Sequence, residues 1–181
     1  QAVPVMQNLS SNIIDGKVGD HLIDIRRCFI VGASNRQEDL AATFLMPMNV
    51  ANRCTHFDVS TTFEEWQDWA MRTGQNPYVI GYLKVHTGVF NEAIVPDVLI
   101  YGTPRSWHKV SAYMNAQGSE FYKNENLSLS VLVGTIGAAA ADFFAFCKLT
   151  NSKYSIEDIM AGKKVEIPAK ADTKYSLVLE A

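Results

Sequence analysis

The two stretches that decide the predicted fold are Leu127-Ser128-Leu129-Ser130-Val131-Leu132-Val133 and Ala139-Ala140-Ala141-Asp142-Phe143-Phe144-Ala145-Phe146-Cys147-Lys148-Leu149-Thr150-Asn151. The first alternates leucine and valine with serine, which is the period of two of a strand with one buried face. The second runs from a loop of small residues into a segment with phenylalanines on both faces, as in a core strand. We therefore predict an antiparallel pair of strands inside an all-β domain.

A low share of charged residues shapes the expectations for the surface. Of the 181 residues, 48% are hydrophobic and 19% are charged, whereas about 25% are charged in a typical soluble domain. A chain of this length predicts one domain that buries roughly 70% of the surface of its unfolded state. We expect partners to cover part of the remaining surface.

The charge balance argues against tight binding of nucleic acid. The net charge is −3, with 16 lysines and arginines in total, and no basic run is longer than Lys163-Lys164. Such a chain lacks the basic patch that neutralises a phosphate backbone. Any contact with nucleic acid is therefore expected to be secondary.

Cysteine usage and targeting signals point to a reducing compartment. Cys28, Cys54 and Cys147 lie far apart, without the spacing of a disulfide framework or a zinc site. Glycosylation sequons occur at Asn8 and Asn126, but no signal peptide and no apolar run of 18 residues is apparent. We therefore expect both sequons to be unused.

Two short helices are predicted before residue 75. Val18, Leu22, Ile25 and Phe29 recur at helical spacing, with Asp20 near the start and Gly32 beyond the end.

The second predicted helix has stronger signals. Thr61 or Thr62 precedes Glu64 or Glu65 by three residues, which is the pattern of a capping box. Apolar residues follow on one side and a glycine ends the segment after about ten residues; these are Phe63, Trp66, Ala70 and Gly74.

The remaining patterns predict short strands separated by turns. Together with the two stretches quoted first, the predicted strands cover residues 41–48, 54–60, 78–89, 98–101, 107–114 and 175–179, and one helical turn covers 155–160. This number of strands predicts an eight-stranded antiparallel jelly-roll sandwich with two short helices. An immunoglobulin-type sandwich stays open, although the chain lacks its Cys, Trp, Cys pattern.

The predicted domain boundaries follow from this fold. Residues 1–16 form an N-terminal extension, residues 17–150 the jelly-roll domain, and residues 151–181 a C-terminal extension at subunit contacts. Within the sandwich, packing roles are predicted for Phe143, Phe144, Phe146, Leu129, Val131 and Val133, and a subunit contact for the helix led by Asp20.

Three segments resemble the capsid proteins of picorna-like viruses. Val18-Gly19-Asp20-His21-Leu22-Ile23-Asp24-Ile25-Arg26-Arg27-Cys28-Phe29 is similar to their helix in which Val-Gly-Glu precedes an Ile-Arg-rich turn. Ala140-Ala141-Asp142-Phe143-Phe144-Ala145-Phe146 is similar to the Ala-Gly-Asp-Asp-Phe-x-Phe of their last jelly-roll strand. Between them, residues 69–74 and 82–86 resemble the helix that precedes a central strand.

This resemblance implies a structural subunit of an icosahedral, non-enveloped capsid, not an enzyme. Its implied partners are sister capsid proteins around an RNA genome, with weak contact to viral RNA, a host receptor and no membrane insertion. The implied location is the virion, and the host cytoplasm during assembly. Cleavage from a polyprotein would explain why the chain begins with Gln1. No catalytic, cofactor-binding or metal site is implied.

Several other residues could belong to sites, but simpler roles are expected for them. His56 with Asp58 and Cys54 lacks a second ligand pair at zinc spacing. His86 and His108 are expected at the surface or at an interface. The glycine-containing stretch 134–139 is expected to join two strands and not to bind phosphate.

The main alternative function is a jelly-roll carbohydrate-binding, lectin-like module. Trp66 and Trp69 lie on the second predicted helix and could form a platform on which a sugar ring stacks. Packing in the core is the commoner role of such tryptophans. Exposure of the two indole rings decides between these roles.

Overall fold

A computed structural model describes residues 4–35, 46–153 and 168–180. The contacts between residues divide the chain into two units, Gln1–Val59 and Ser60–Ala181. Helices dominate the described secondary structure, and the two described strands form one small hairpin. The predicted all-β jelly roll with eight strands is therefore wrong, and so is an immunoglobulin-type sandwich.

The first unit contains two helices and the hairpin among its described residues. Its elements are α1 (Pro4–Ile14), β1 (Lys17–Val18), β2 (His21–Leu22) and α2 (Met48–Ala51). The predicted helix through Val18, Leu22 and Phe29 is wrong. Gly19 has a φ of +57° and turns the chain between the two strands, and the supposed apolar face is exposed, with Leu22 at 80% and Phe29 at 95% of full exposure.

The second unit is built from seven described α-helices and two single 3-10 turns. The helices are α3 (Phe63–Arg72), α4 (Pro77–Val85), α5 (Pro104–Gln117), α6 (Glu120–Lys123), α7 (Glu125–Ile136), α8 (Ala140–Lys153) and α9 (Ala171–Glu180). The 3-10 turns, Thr87–Val89 and Gly137–Ala139, follow α4 and α7.

Helix α3 confirms the second helix predicted from the sequence. Thr62 and Glu65 form the capping box: the Thr62 hydroxyl accepts from the Glu65 N–H at 3.2 Å, and the Glu65 carboxylate accepts from the Thr62 N–H at 3.0 Å. The predicted apolar face is buried through Phe63, Trp66 and Ala70.

The strands predicted at 78–89 and 107–114 are helices, because each segment begins with a strong helix start. At α4, the Asn76 side chain accepts from the Tyr78 N–H at 3.0 Å and Pro77 occupies the first helical position. At α5, Thr103 and Ser106 form a reciprocal cap around Pro104. Fixed helix starts outweigh the β propensity of the residues that follow.

The two stretches that led to the all-β prediction form helices α7 and α8. In α7 the buried side chains are Ser128, Leu132 and Ile136, which recur every four residues and so share one helix face. Leu127 and Val133, by contrast, are exposed. Burial of Phe143, Phe144 and Phe146 is confirmed, but these phenylalanines lie on α8 and not on a strand.

Other predicted strands also fail. Residues 54–60 and 98–101 are irregular, and residues 175–179 belong to α9. Most of the strand predicted at 41–48 and the whole helical turn at 155–160 lie outside the described residues.

The run Glu125–Asn151 is long and apolar enough to cross a membrane, judged by length and composition only. In this structure it folds back on itself. The Lys148 ammonium lies 2.7 Å from a carboxylate oxygen of Glu125, whereas a straight helix would separate these residues by about 34 Å. Gly137, with a φ of +59°, supplies the turn. The apolar run is therefore a helical hairpin.

An aromatic cluster joins α4, α5 and α8. The Trp107 ring is fully buried, with its centroid 5.8 Å from that of Tyr82 and 5.3 Å from that of Phe143. Its indole N–H donates to the Val89 carbonyl oxygen at 2.7 Å. A buried indole needs such an acceptor, so this hydrogen bond links the turn after α4 to the first turns of α5.

Helix α9 packs on α4 at a place where only glycine fits. A Cβ atom at Gly81 would lie 2.9 Å from both the Cβ and the backbone nitrogen of Ser176. Ser176 is fully buried, and its hydroxyl donates to the Asp172 carbonyl oxygen at 3.0 Å. The close approach of the two backbones therefore depends on the missing side chain.

We expect Gly81→Ala to lower the free energy of unfolding by about 1–3 kcal/mol, because the new methyl group overpacks this contact. Chemical denaturation of the full chain measures the loss. Gly134→Ala is the matched control: Gly134 lies within α7, where the described residues leave open space for a methyl group, so this change is expected to be neutral or stabilising. Equal stability of the two variants would contradict the packing of α9 on α4.

Candidate functional site

An open groove of about 380 Å³ lies where α3 and α5 begin, within the size range of ligand pockets. Its lining residues are Thr61, Glu65, Trp66, Trp69, Pro104, Arg105 and His108. All of them belong to the unit Ser60–Ala181. The groove therefore combines apolar ring faces with a small number of polar and charged groups.

The loop before α5 holds the groove in place. Glu92 and Gly102 close this loop: the Glu92 N–H donates to the Gly102 carbonyl oxygen at 2.9 Å, and the Gly102 N–H donates to the Glu92 carboxylate. A Cβ atom at Gly102 would lie 3.1 Å from the Trp107 indole nitrogen. The start of α5 is thereby fixed against the buried core.

Arg105 occupies an unfavourable position for its charge. It is exposed in the first turn of α5, a turn without an acidic residue, and its guanidinium has no hydrogen bond or ion pair with any described residue. The positive end of the helix dipole repels a cation there. Helix α3 shows the opposite arrangement, with Glu64 and Glu65 in its first turn.

Trp69 provides a half-buried ring beside this arginine. Its centroid lies 6.2 Å from that of Trp66 and 5.4 Å from that of His108, which meets it edge-on at 68°. Trp66 itself is buried and packs on Phe90. The predicted roles of the two tryptophans therefore separate: Trp66 is a core residue, and Trp69 lines the groove.

Hydrogen bonds orient the imidazole of His108. Its Nδ1 lies 2.9 Å from the Gln75 carboxamide oxygen, and the Gln75 amide nitrogen donates to the Thr73 hydroxyl at 3.3 Å. Because a carboxamide oxygen only accepts, Nδ1 carries a proton. The Nε2 atom is then the ring nitrogen left to contact a ligand, and the exposure predicted for His108 is confirmed.

A second polar cluster lies between α4, α8 and α9. The Tyr82 hydroxyl donates to Asp142 at 2.7 Å, and the Tyr82 ring stacks on His86 with a centroid distance of 4.2 Å. His86 Nε2 lies 3.5 Å from a carboxylate oxygen of the buried Asp172, at the start of α9. The adjoining cavity of about 130 Å³ is below the usual size of a ligand pocket, so we interpret the cluster as a structural link to α9.

Burial raises the pKa of two side chains in this region. Desolvation raises the pKa of the Tyr82 phenol far above its usual value of 10.0, and the hydrogen bond and charge of Asp142 raise it further. Desolvation also raises the pKa of the Cys147 thiol. A buried thiol of raised pKa stays protonated and is a poor nucleophile.

The other candidate residues from the sequence do not form a site. Cys54, His56 and Asp58 are exposed in the first unit, and His56 Nε2 lies 3.0 Å from the Ala51 carbonyl oxygen. No group of metal-ligating side chains occurs among the described residues. The stretch 134–139 was expected to join two strands, but its first three residues end α7 and Gly137–Ala139 form the turn before α8; the Ile100 carbonyl oxygen lies against Gly137.

Alkaline unfolding tests the Tyr82 cluster. Because the pKa of Tyr82 is raised in the folded state, its contribution to stability is complete below pH 10 and is lost as the pH rises above it. We expect Tyr82→Phe to cost about 1 kcal/mol at neutral pH, by loss of one hydrogen bond. Above pH 10 its stability will fall less steeply with pH than that of the natural chain.

Urea unfolding between pH 8 and 11 measures both effects, with Tyr101→Phe as the control variant. The Cys147 thiol contributes equally in all three proteins, so the difference in slope isolates Tyr82. Identical slopes for the natural chain and Tyr82→Phe would contradict a buried phenol at this position.

The groove and the Tyr82 cluster are thus defined by geometry, burial and charge. Sequence reasoning named Trp69 and His108 separately and Glu65 only as a capping residue, and it missed Arg105 and the groove that joins these four residues. No protein-family model matches the chain, and neither does any curated protein or solved structure.

Proposed function

We propose that the unit Ser60–Ala181 is a binding module for an anion that carries an aromatic ring, the chemistry of a nucleoside phosphate. The observation that carries the proposal is the position of Arg105. This arginine has no partner among the described residues, and it lies at a helix start that disfavours a positive charge. It also lines a groove that contains the half-buried indole of Trp69. The proposed role is binding, and it requires no nucleophile or metal.

The anion end of the ligand is assigned to Arg105. A guanidinium binds phosphate or carboxylate oxygens through parallel hydrogen bonds. The N-terminus of α5 favours the same sign of ligand charge, because its dipole is positive there. An anion would thus relieve the repulsion between Arg105 and the helix and would give the guanidinium its partner.

The ring end of the ligand is assigned to Trp69. A base stacked on an aromatic side chain contributes about 1–3 kcal/mol, and Trp69 is the half-buried aromatic side chain that packs against the core and also lines the groove. The oriented His108 adds a ring nitrogen beside it. Glu65 also lines the groove and keeps its negative charge while its carboxylate is held in the cap of α3, so the anion end is assigned to the Arg105 side of the groove.

The sequence suggested two other functions. Assembly into a virus capsid stays a prediction, although two of the three segments that carry the resemblance were expected to contain strands and are helical in the structure. Carbohydrate binding keeps one supporting feature, the accessible Trp69. It leaves Arg105 without a role, so we favour the anionic ligand.

Calorimetric titration of the full chain with ADP, adenosine, inorganic phosphate and a disaccharide tests the proposal. We expect ADP to bind more tightly than adenosine or phosphate alone. Arg105→Ala should raise the Kd for ADP at least about tenfold, because a hydrogen bond to a charged group contributes about 1.5–3 kcal/mol. Lys109→Ala, an exposed lysine on the same helix outside the groove, should leave the Kd unchanged.

Binding of the disaccharide alone would favour the carbohydrate alternative. No binding of ADP by the natural chain, or equal Kd values for the natural chain and Arg105→Ala, would overturn the proposal.

The position of Arg105 also predicts that its removal weakens ligand binding but stabilises the protein. Removing a cation from the first turn of a helix should stabilise α5 by about 0.3–1 kcal/mol at low salt. Arg105→Ala is therefore expected to unfold at a slightly higher urea concentration while losing its ligand. A clear loss of stability would show that Arg105 has a structural partner and would remove the main reason to assign it a ligand.

A further inference from the structure

Glu65 brings a hydrogen-bond acceptor to the ring end of the groove. One carboxylate oxygen, Oε2, accepts from the Thr62 N–H at 3.0 Å, and the other, Oε1, has no hydrogen bond with any described residue. Glu65 precedes Trp69 by four residues in α3, and residues at this spacing are neighbours on one helix face, with about 5–6 Å between their Cβ atoms. Both side chains line the groove, so a carboxylate acceptor lies beside the indole ring.

His108 brings a second acceptor to the same indole ring. Its imidazole meets Trp69 edge-on with a centroid distance of 5.4 Å, and its Nδ1 donates to the Gln75 carboxamide oxygen at 2.9 Å. In the neutral imidazole Nε2 is then an acceptor, and this atom has no hydrogen bond within the described part of the chain. The Thr61 hydroxyl also lines the groove, but a hydroxyl both donates and accepts and therefore selects neither kind of partner.

The donors that line the groove are placed differently. The guanidinium of Arg105 carries N–H groups alone and forms no ion pair with Glu65 or any other described residue. The indole N–H of Trp69 lies in the plane of its ring, so a base stacked on the ring face does not meet it. A ligand that complements both ends of the groove is therefore an anion at one end and a donor of hydrogen bonds at the other.

We propose that the groove selects an anionic ligand whose aromatic ring carries an amino group, the chemistry of an adenine, guanine or cytosine nucleotide. Glu65 is the residue that determines this specificity, because its Oε1 accepts from the amino group while the ring stacks on Trp69. The assignment rests on the proposed function of the groove and adds to it the hydrogen-bonding pattern of the ring.

The same two acceptors disfavour rings without an amino group. A bound ring displaces water from the Glu65 carboxylate, and an edge that presents C–H groups gives no hydrogen bond in return. An edge that presents a carbonyl oxygen also places two acceptors against each other, which is repulsive. Nucleotides of uracil and thymine, which carry ring carbonyls and no amino group, are therefore expected to bind more weakly.

Calorimetric titration of the full chain with ADP and with purine riboside diphosphate tests this specificity, at about pH 8, where imidazoles are neutral. The second ligand differs from ADP in one group, a hydrogen in place of the amino group of the base. We expect ADP to bind at least about tenfold more tightly, because its amino group donates to a charged acceptor. This comparison uses the natural chain and so does not depend on the folding of a variant.

Glu65→Gln tests whether this residue sets the preference. Glutamine serves in a capping box as glutamate does, so α3 keeps its start. Its oxygen is engaged by the Thr62 N–H, and its NH2 group then faces the groove and cannot accept, so the ratio of the two Kd values should fall to about one. Glu64→Gln is the matched control, since it removes the same charge from the same helix turn outside the groove; it should keep the ratio.

The outcomes separate the specificity from the function on which it rests. Equal Kd values for the two ligands, with ADP binding still dependent on Arg105, would overturn the specificity and leave the proposed function standing. A ratio that Glu65→Gln leaves unchanged, or that Glu64→Gln lowers equally, would overturn the role of Glu65. Absence of ADP binding would overturn both the specificity and the proposed function.

Discussion

The hydrogen bond from the buried Trp107 indole to the Val89 carbonyl oxygen is the contact on which the second unit depends. Its length is 2.7 Å, and it joins the 3-10 turn after α4 to the first turns of α5 across the loop closed by Glu92 and Gly102. The same indole packs against Tyr82 and Phe143. One side chain therefore sets both the packing of α4, α5 and α8 and the position of the helix start that carries Arg105.

The sequence predicts helix α3 well and most other elements poorly, for physical reasons that can be named. At α3 a capping box, an apolar face and Gly74 agree with one another. Within α7, the alternation of leucine with serine suggests a strand, yet Ser128 is buried because its hydroxyl donates to the Phe121 carbonyl oxygen at 2.8 Å. A local period cannot reveal that a serine has such a partner, and tertiary contacts then override the pattern.

Two helix starts are present in the sequence, but they also fit turns beside strands. In Asn76-Pro77 and Thr103-Pro104, the Asn or Thr followed by proline is a capping residue with proline at the first helical position. The β-branched and aromatic residues that follow favour the wrong interpretation. Phenylalanine burial, in contrast, is predictable without the fold, because large apolar side chains are buried on strands and helices alike.

The candidate site is only partly visible in the sequence for a related reason. Trp69 and His108 attract attention as residue types, whereas Arg105 is conspicuous only once α5 is known to be a helix that begins at Pro104. Helix α3 places acids in its first turn and α5 places an arginine there. Because the first turn of α5 carries a positive charge and no acid, we assign an anionic ligand to Arg105. Only the structure shows that the starts of both helices line one groove.

Backbone chemical shifts of the natural chain in solution test the central claim most directly, namely that the serine-bearing and the phenylalanine-bearing stretches are the helices α7 and α8, with α8 packed on Trp107. The structure predicts positive Cα secondary shifts throughout residues 127–133 and 143–149, with nuclear Overhauser contacts between the Trp107 and Phe143 rings. Negative Cα secondary shifts in these stretches, with cross-strand contacts between them, would contradict the helical fold and every site built on it.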